Sequence, residues 1–302
     1  MCWRNGLELG IIAALVVLFL NLLSWPFAIA DDSLDGSWQA ILSYSMKHGL
    51  RFGEEVIFTY GPLGSLSSFS YSGYNHAGKY GFELFMRLCL VIFMFRFLPN
   101  LKAYTKVGCV FLYLFILQFL PDAYETFFFF GMLSWAATLL LDRPNRKGRP
   151  WTLIAMGVAF IVTCSLVKFT LLLAGVFCLG IVCAYLIFQK RNAEAVALAL
   201  GFAVGVLSFW MLLGQRLGDI PQYLYGSYQV AKGYSMSMQV PMEPGAMKFF
   251  IFFLISSLAL IAVVLREYLR GKLKWNRFKQ PWFPLLLIYS GFLFMVWKQG
   301  VV

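Results

Sequence analysis

Three aspartates, Asp31, Asp32 and Asp35, stand together directly after an apolar run long enough to cross a bilayer. Carboxylates at this DDxxD spacing admit a divalent cation with a lipid diphosphate, although no second such motif accompanies them. They also suit a humbler task, since acids and Ser33 at a helix start cap its free N–H groups and offset its dipole for about 1 kcal/mol. Against these acids stand three cations in unusual places. Arg87 lies about two turns inside an apolar stretch, Lys168 in the tight connection SLVKFT, and Lys298 at the end of the last apolar stretch. An unpaired arginine in mid-span costs roughly 2.5 to 3.5 kcal/mol on insertion scales. Glu83, one turn earlier, offers Arg87 an intrahelical pair, and Lys168 and Lys298 can snorkel to an interface.

The elements that must position these groups are apolar. The chain has 302 residues, 60% hydrophobic and 13% charged, with a mean hydropathy of +0.73, which describes a polytopic membrane protein rather than a soluble domain. The expected fold is all-α, a single transmembrane helical bundle over 1–302. Its spans are expected at 7–30, 81–99, 103–120, 123–141, 151–167, 169–188, 194–213, 247–265 and 282–297, about nine in all. The first has a rival reading as a secretory signal cleaved after Ala28-Ile29-Ala30. The net charge of +11 is not a nucleic-acid signal. Most basic residues fall in short loops on one side, as in DRPNRKGRP and REYLRGKLKWNRFKQ, and most acids fall on the other. The positive-inside rule then puts the N-terminus in the cytoplasm and the loops at 31–80 and 214–246 outside, with membrane lipid as the surrounding partner.

The first outer loop is the longest polar interval. Leu34, Trp38, Ile41, Leu42 and Ser45 form a 3.6-period stripe opposed by Gln39, Ser43 and Lys47, which predicts an interfacial amphipathic helix ending near Gly49. After the loop acids Glu54 and Glu55, alternating Val56, Phe58 and Tyr60 lead into Gly61, Pro62 and Gly64, a tight turn back toward the bilayer. The second outer loop is rich in Tyr, Met, Gly and Pro, and Tyr223, Tyr225, Tyr228 and Tyr234 read equally as a substrate wall or an interfacial aromatic belt. Six cysteines all lie in or beside apolar spans and the two histidines share one loop. Neither a disulfide framework nor a histidine or thiolate metal centre is expected. No phosphate-cradling glycine loop is present.

An acid pair after the first span, an interfacial helix and a Gly-Pro-Leu-Gly return together resemble the C-type glycosyltransferases, including protein O-mannosyltransferases and aminoarabinose transferases. Those relatives carry a His-Pro-Pro-Leu-Gly-Lys turn where this chain has Tyr60-Gly61-Pro62-Leu63-Gly64-Ser65. The chain is also similar to bacterial multi-span proteins with Ser-Trp-Gln (Ser37 to Gln39), the run from Phe52 to Gly64, and a later Gly-Tyr-Ser-x-x-Met (Gly233 to Met238). The resemblance implies transfer of a sugar from a polyprenyl-phosphate donor to an envelope acceptor at the outer face of a bacterial inner membrane. It implies Asp31 or Asp32 as the catalytic base, Arg87, Lys168 and Lys298 as donor-phosphate ligands, and Asp35, Glu54, Glu55, Tyr60 and Tyr234 as substrate-loop residues. Proteins of this kind are longer, so a truncated copy is also expected. A non-catalytic subunit, transporter or flippase of envelope polysaccharide assembly is the alternative.

Overall fold

The computed structural model describes residues 10, 13, 16, 34–68, 74, 76–98, 124–141, 151–237 and 282–300, with some side chains near helix ends outside that set. Its α-helices are α1 (Leu34–His48), α2 (His76–Phe97), α3 (Tyr124–Leu141), α4 (Trp151–Val167), α5 (Phe169–Phe188), α6 (Asn192–Leu212), α7 (Ile220–Ser237) and α8 (Trp282–Gly300). Two 3-10 turns, Gly64–Ser67 and Leu217–Asp219, complete the regular structure. The described residues contain no strand, only two isolated bridges, Phe52 with Val56 and Tyr60 with Lys168.

α5 and α6, of 20 and 21 residues, are long and apolar enough to cross a membrane. The apolar stretches of α3, α4 and α8 are shorter. The two long helices are used differently. Of its apolar window α5 buries 44%, which makes it central, whereas α6 buries 17% and leaves Val196, Leu200, Val204 and Leu207 exposed. α4 and α5 form a hairpin, Gly175 lying against Ile161 and Ser165, and α6 packs on α4 while α8 packs on α5. Edge-to-face rings knit the remaining helices, Phe93 with Phe160 (5.7 Å) between α2 and α4 and Phe82 with Phe128 (6.4 Å) between α2 and α3. Buried hydroxyls of α4 return to their own helix backbone, Ser165 to the Ile161 carbonyl and Thr163 to the Ala159 carbonyl, so neither needs water.

The expected segments at 123–141, 151–167, 169–188, 194–213 and 282–297 coincide with helices to within a few residues. Those at 103–120 and 247–265, and nearly all of 7–30, lie outside the described residues. Three differences are informative. α2 begins at His76, not near 81, which brings Lys79 onto the helix. In α1, Leu42 and Ser45 are buried but Ile41 is 57% exposed, so the helix turns its Trp38, Leu42, Ser45 edge inward and Ile41 with Tyr44 outward. The interval 214–246, read as a loop, holds the 18-residue α7; Pro221 near its start is compatible with the first helical turn, where a missing N–H costs nothing.

Candidate functional site at the α4–α5 turn

A single extended residue, Lys168 (φ −152°, ψ 142°), separates α4 from α5. Such an abrupt turn strands the last carbonyls of one helix and the first N–H groups of the next. The segment 59–63 supplies the partners. Gly61 N–H donates to the Val167 carbonyl (2.9 Å), Leu63 N–H to Leu166 (3.0 Å), and Phe169 N–H donates to Thr59 (2.8 Å). Pro62, between the two donors, has no N–H to leave unsatisfied. Gly61 is required because a Cβ there would lie 2.5 Å from the Leu166 carbonyl oxygen. The chain then tightens into the buried 3-10 turn at Gly64–Ser67, where Ser67 and Ser68 hydroxyls donate to Gly64 and Ser65 carbonyls. α1, α2 and α4 all pack on this turn.

The same segment is sewn to α7 and the chain before it. Arg51 donates twice to Asp219, Nε to Oδ2 at 2.8 Å and Nη2 to Oδ1 at 2.6 Å. That pair of hydrogen bonds, then the Arg51 charge, holds the Asp219 carboxyl below its usual range against the opposing pull of burial. Phe52 N–H donates to Gln215 Oε1 (2.8 Å), Gln215 Nε2 donates to Leu50 O (3.2 Å), and Ser227 Oγ donates to Phe58 O (2.8 Å). Gly53, at φ 100°, lets the chain pass so near α7 that a Cβ would sit 2.6 Å from Asp219 O. Both sequence intervals expected to share one membrane side, 31–80 and 214–246, thus meet each other and the Lys168 turn.

Around this joint lie two groups of ionisable side chains. The half-buried Lys168 places its ammonium 4.9 Å from the Tyr60 ring centroid. Tyr60 stacks in turn on Trp38 (4.7 Å) and Phe58 (5.7 Å). On α2, Lys79, Glu83 and Arg87 follow one another at four-residue intervals on one buried face, each 5% exposed or less. Glu83 Oε2 is 3.3 Å from Arg87 Nη2, so the intrahelical pair is formed. Chemically, the joint offers cations for an anion.

The expected site residues fare differently. Asp31 and Asp32 lie outside the described residues, and with them the base assignment and the divalent-cation option. Asp35 is placed as a backbone position in the first turn of α1, Tyr234 in α7 and Lys298 in α8, their side chains lying outside the described set. Glu54 and Glu55 are exposed and both serve Arg51, Glu54 as an ion pair and Glu55 by accepting its backbone N–H (2.7 Å). α2, which carries Arg87, packs on the Gly64–Ser67 turn, and Lys168 lies over the Tyr60 ring just before it. Of the second-interval tyrosines Tyr223 is buried, whereas Tyr225 and Tyr228 are exposed, so these three do not share one wall. Sequence reasoning passed over Arg51, Gln215 and Asp219, whose pairing across more than 160 positions carries no local periodicity. It also passed over Lys79, hidden by an expected helix start placed too late. Among the described residues no three His, Cys, Asp or Glu side chains come together as a metal site. No family model matches the chain, and no curated protein or solved structure matches it either.

Proposed function

We propose that this chain is a multi-pass membrane glycosyltransferase, an all-α bundle of about nine spans with a cytoplasmic N-terminus. It transfers a sugar from a polyprenyl-phosphate donor to an envelope acceptor at the outer face of a bacterial inner membrane. The observation that carries this reading is that α2, which bears the buried Lys79–Glu83–Arg87 face, and the α4–α5 turn, which bears Lys168, both pack on one stretch of the first outer loop, 59–67. Ionisable groups on an otherwise apolar helix are a functional-site signal. A donor phosphate leaving from a lipid at the interface needs fixed cations, and the acceptor hydroxyl needs a base. Lys168 and Arg87 take the first role, with Lys298, and Asp31 or Asp32 the second.

The test is turnover of radiolabelled polyprenyl-phosphate sugar by purified protein in lipid. Asparagine keeps the size and capping of aspartate but cannot take a proton as a carboxylate does. Asp31→Asn or Asp32→Asn should therefore lower the rate by about 10² to 10⁴ while the protein stays folded. Wild-type rates in both variants and in the double variant would remove the acids from the chemistry. One observation favours a second reading: Tyr60 is engaged with Lys168 in holding the loop to the α4–α5 turn, and Glu54 and Glu55 are engaged with Arg51 of the same loop. A non-catalytic subunit of envelope polysaccharide assembly needs that joint and nothing more, and absence of turnover with every donor would support it.

A further inference from the structure

Tyr60 lies at the centre of a cluster of rings beside the α4–α5 turn. It stacks on Trp38 with ring centroids 4.7 Å apart and on Phe58 at 5.7 Å, and Trp38 lies 6.1 Å from Phe58. Lys168 ends the row, its ammonium 4.9 Å from the Tyr60 centroid. All four side chains are half-buried, so the packed cluster still presents part of its surface outward. The backbone that carries two of the rings is pinned. The Phe58 carbonyl accepts from Ser227 Oγ (2.8 Å), the Thr59 carbonyl accepts from Phe169 N–H (2.8 Å), and Gly61 N–H donates to Val167 (2.9 Å). Gly64 leaves room for the Tyr60 side chain, since a Cβ there would lie 2.8 Å from the Tyr60 Cβ. A surface held this way loses little freedom on meeting a ligand.

The face of an aromatic ring is electron-rich and attracts the polarised C–H groups on one face of a pyranose, as it attracts the Lys168 ammonium. Three neighbouring rings with a cation beside one of them match a sugar joined to a phosphate, the sugar against the rings and the phosphate at the amine. We propose that Trp38, with Phe58 and Tyr60, binds the sugar of the donor and makes the protein prefer a glycosylated polyprenyl phosphate to a bare one. The proposal rests on the sugar-phosphate donor of the proposed function and gives Trp38 a specificity-determining part in it.

The experiment reads binding without turnover, by native mass spectrometry of the full chain released from detergent, with polyprenyl phosphate competing against polyprenyl-phosphate glucose, mannose or galactose. At least one of these glycolipids should be retained about fivefold more tightly than polyprenyl phosphate. Trp38→Leu keeps apolar bulk but has no ring, and should bring that ratio close to one while leaving retention of polyprenyl phosphate unchanged. Lys168→Ala should weaken glycolipid and bare lipid alike. Equal retention of glycosylated and bare lipid by wild type, an undiminished ratio in Trp38→Leu, or an equal loss of both lipids in that variant would each overturn the assignment. Transfer without a sugar preference at binding would keep the proposed function and sink the role of Trp38, and a Trp38-dependent preference without transfer would do the reverse.

Discussion

Gly61 is the residue on which the joint depends most narrowly. Its N–H reaches Val167 only because nothing projects toward the Leu166 carbonyl, so Gly61→Ala must push the two backbones apart. A cost of about 1 to 3 kcal/mol is expected, read as a lower melting temperature in detergent; an unchanged melting temperature would mean that the segment is not held this way. Arg51 and Asp219 make a second residue-level test. Arg51→Ala and Asp219→Asn should each destabilise the protein and their effects should fall well short of additive in a double-mutant cycle. Because Arg51 depresses the Asp219 carboxyl, the stabilisation is full above the unfolded carboxylate value, near 3.9, and disappears as pH falls through the lower folded value. The advantage of wild type over Arg51→Ala should therefore be flat from about pH 5 to 8 and shrink only below about pH 4. A gap that already closed at pH 6 would point to another group.

At the scale of elements, α2 joins an apolar helix to a buried charged face. Glu83→Gln should cost about 3 kcal/mol or more, because it removes the acid between two buried cations, Arg87→Met should cost less, since Lys79 still faces Glu83, and the double variant should fall short of the sum of the singles. Equilibrium unfolding of the three variants decides this, and a double variant at the sum of the singles would deny the pairing. Helix positions were legible in the sequence wherever apolar residues ran without interruption: α4 and α5 fall at 151–167 and 169–188, with Lys168 as the sole break. α7 was not, because its glycines, tyrosines and Pro221 resemble loop composition, and packing on the docked segment overrides propensity. The Gly-Pro-Leu-Gly turn was visible as a turn, but its purpose was not. Only the three-dimensional meeting of 59–63 with the stranded groups of α4 and α5 explains why those residue types are needed.

For the whole molecule, the docking of 50–63 on both the α4–α5 turn and α7 ties distant parts of the chain to one side. On the proposed membrane reading, Lys190, just past the opposite end of α5, lies on the other. In a background with the native cysteines replaced, Glu54→Cys and Tyr225→Cys, both exposed, should react with an impermeant maleimide added outside the cell, and Lys190→Cys only after the inner face is opened. Labelling of Glu54→Cys and Tyr225→Cys from different sides would contradict the joint itself, and labelling of both only from within would reverse the proposed orientation. We propose that cations at this joint receive the phosphate of a lipid-linked sugar. It is tested most directly by the dependence of sugar-transfer rate on donor concentration for purified wild-type and Lys168→Ala protein in lipid. Wild type should show measurable turnover, and the variant should show a donor KM raised about tenfold, with Lys168→Arg partly restoring it. An unchanged KM in Lys168→Ala, or no transfer by wild type from any polyprenyl-phosphate sugar, would contradict it.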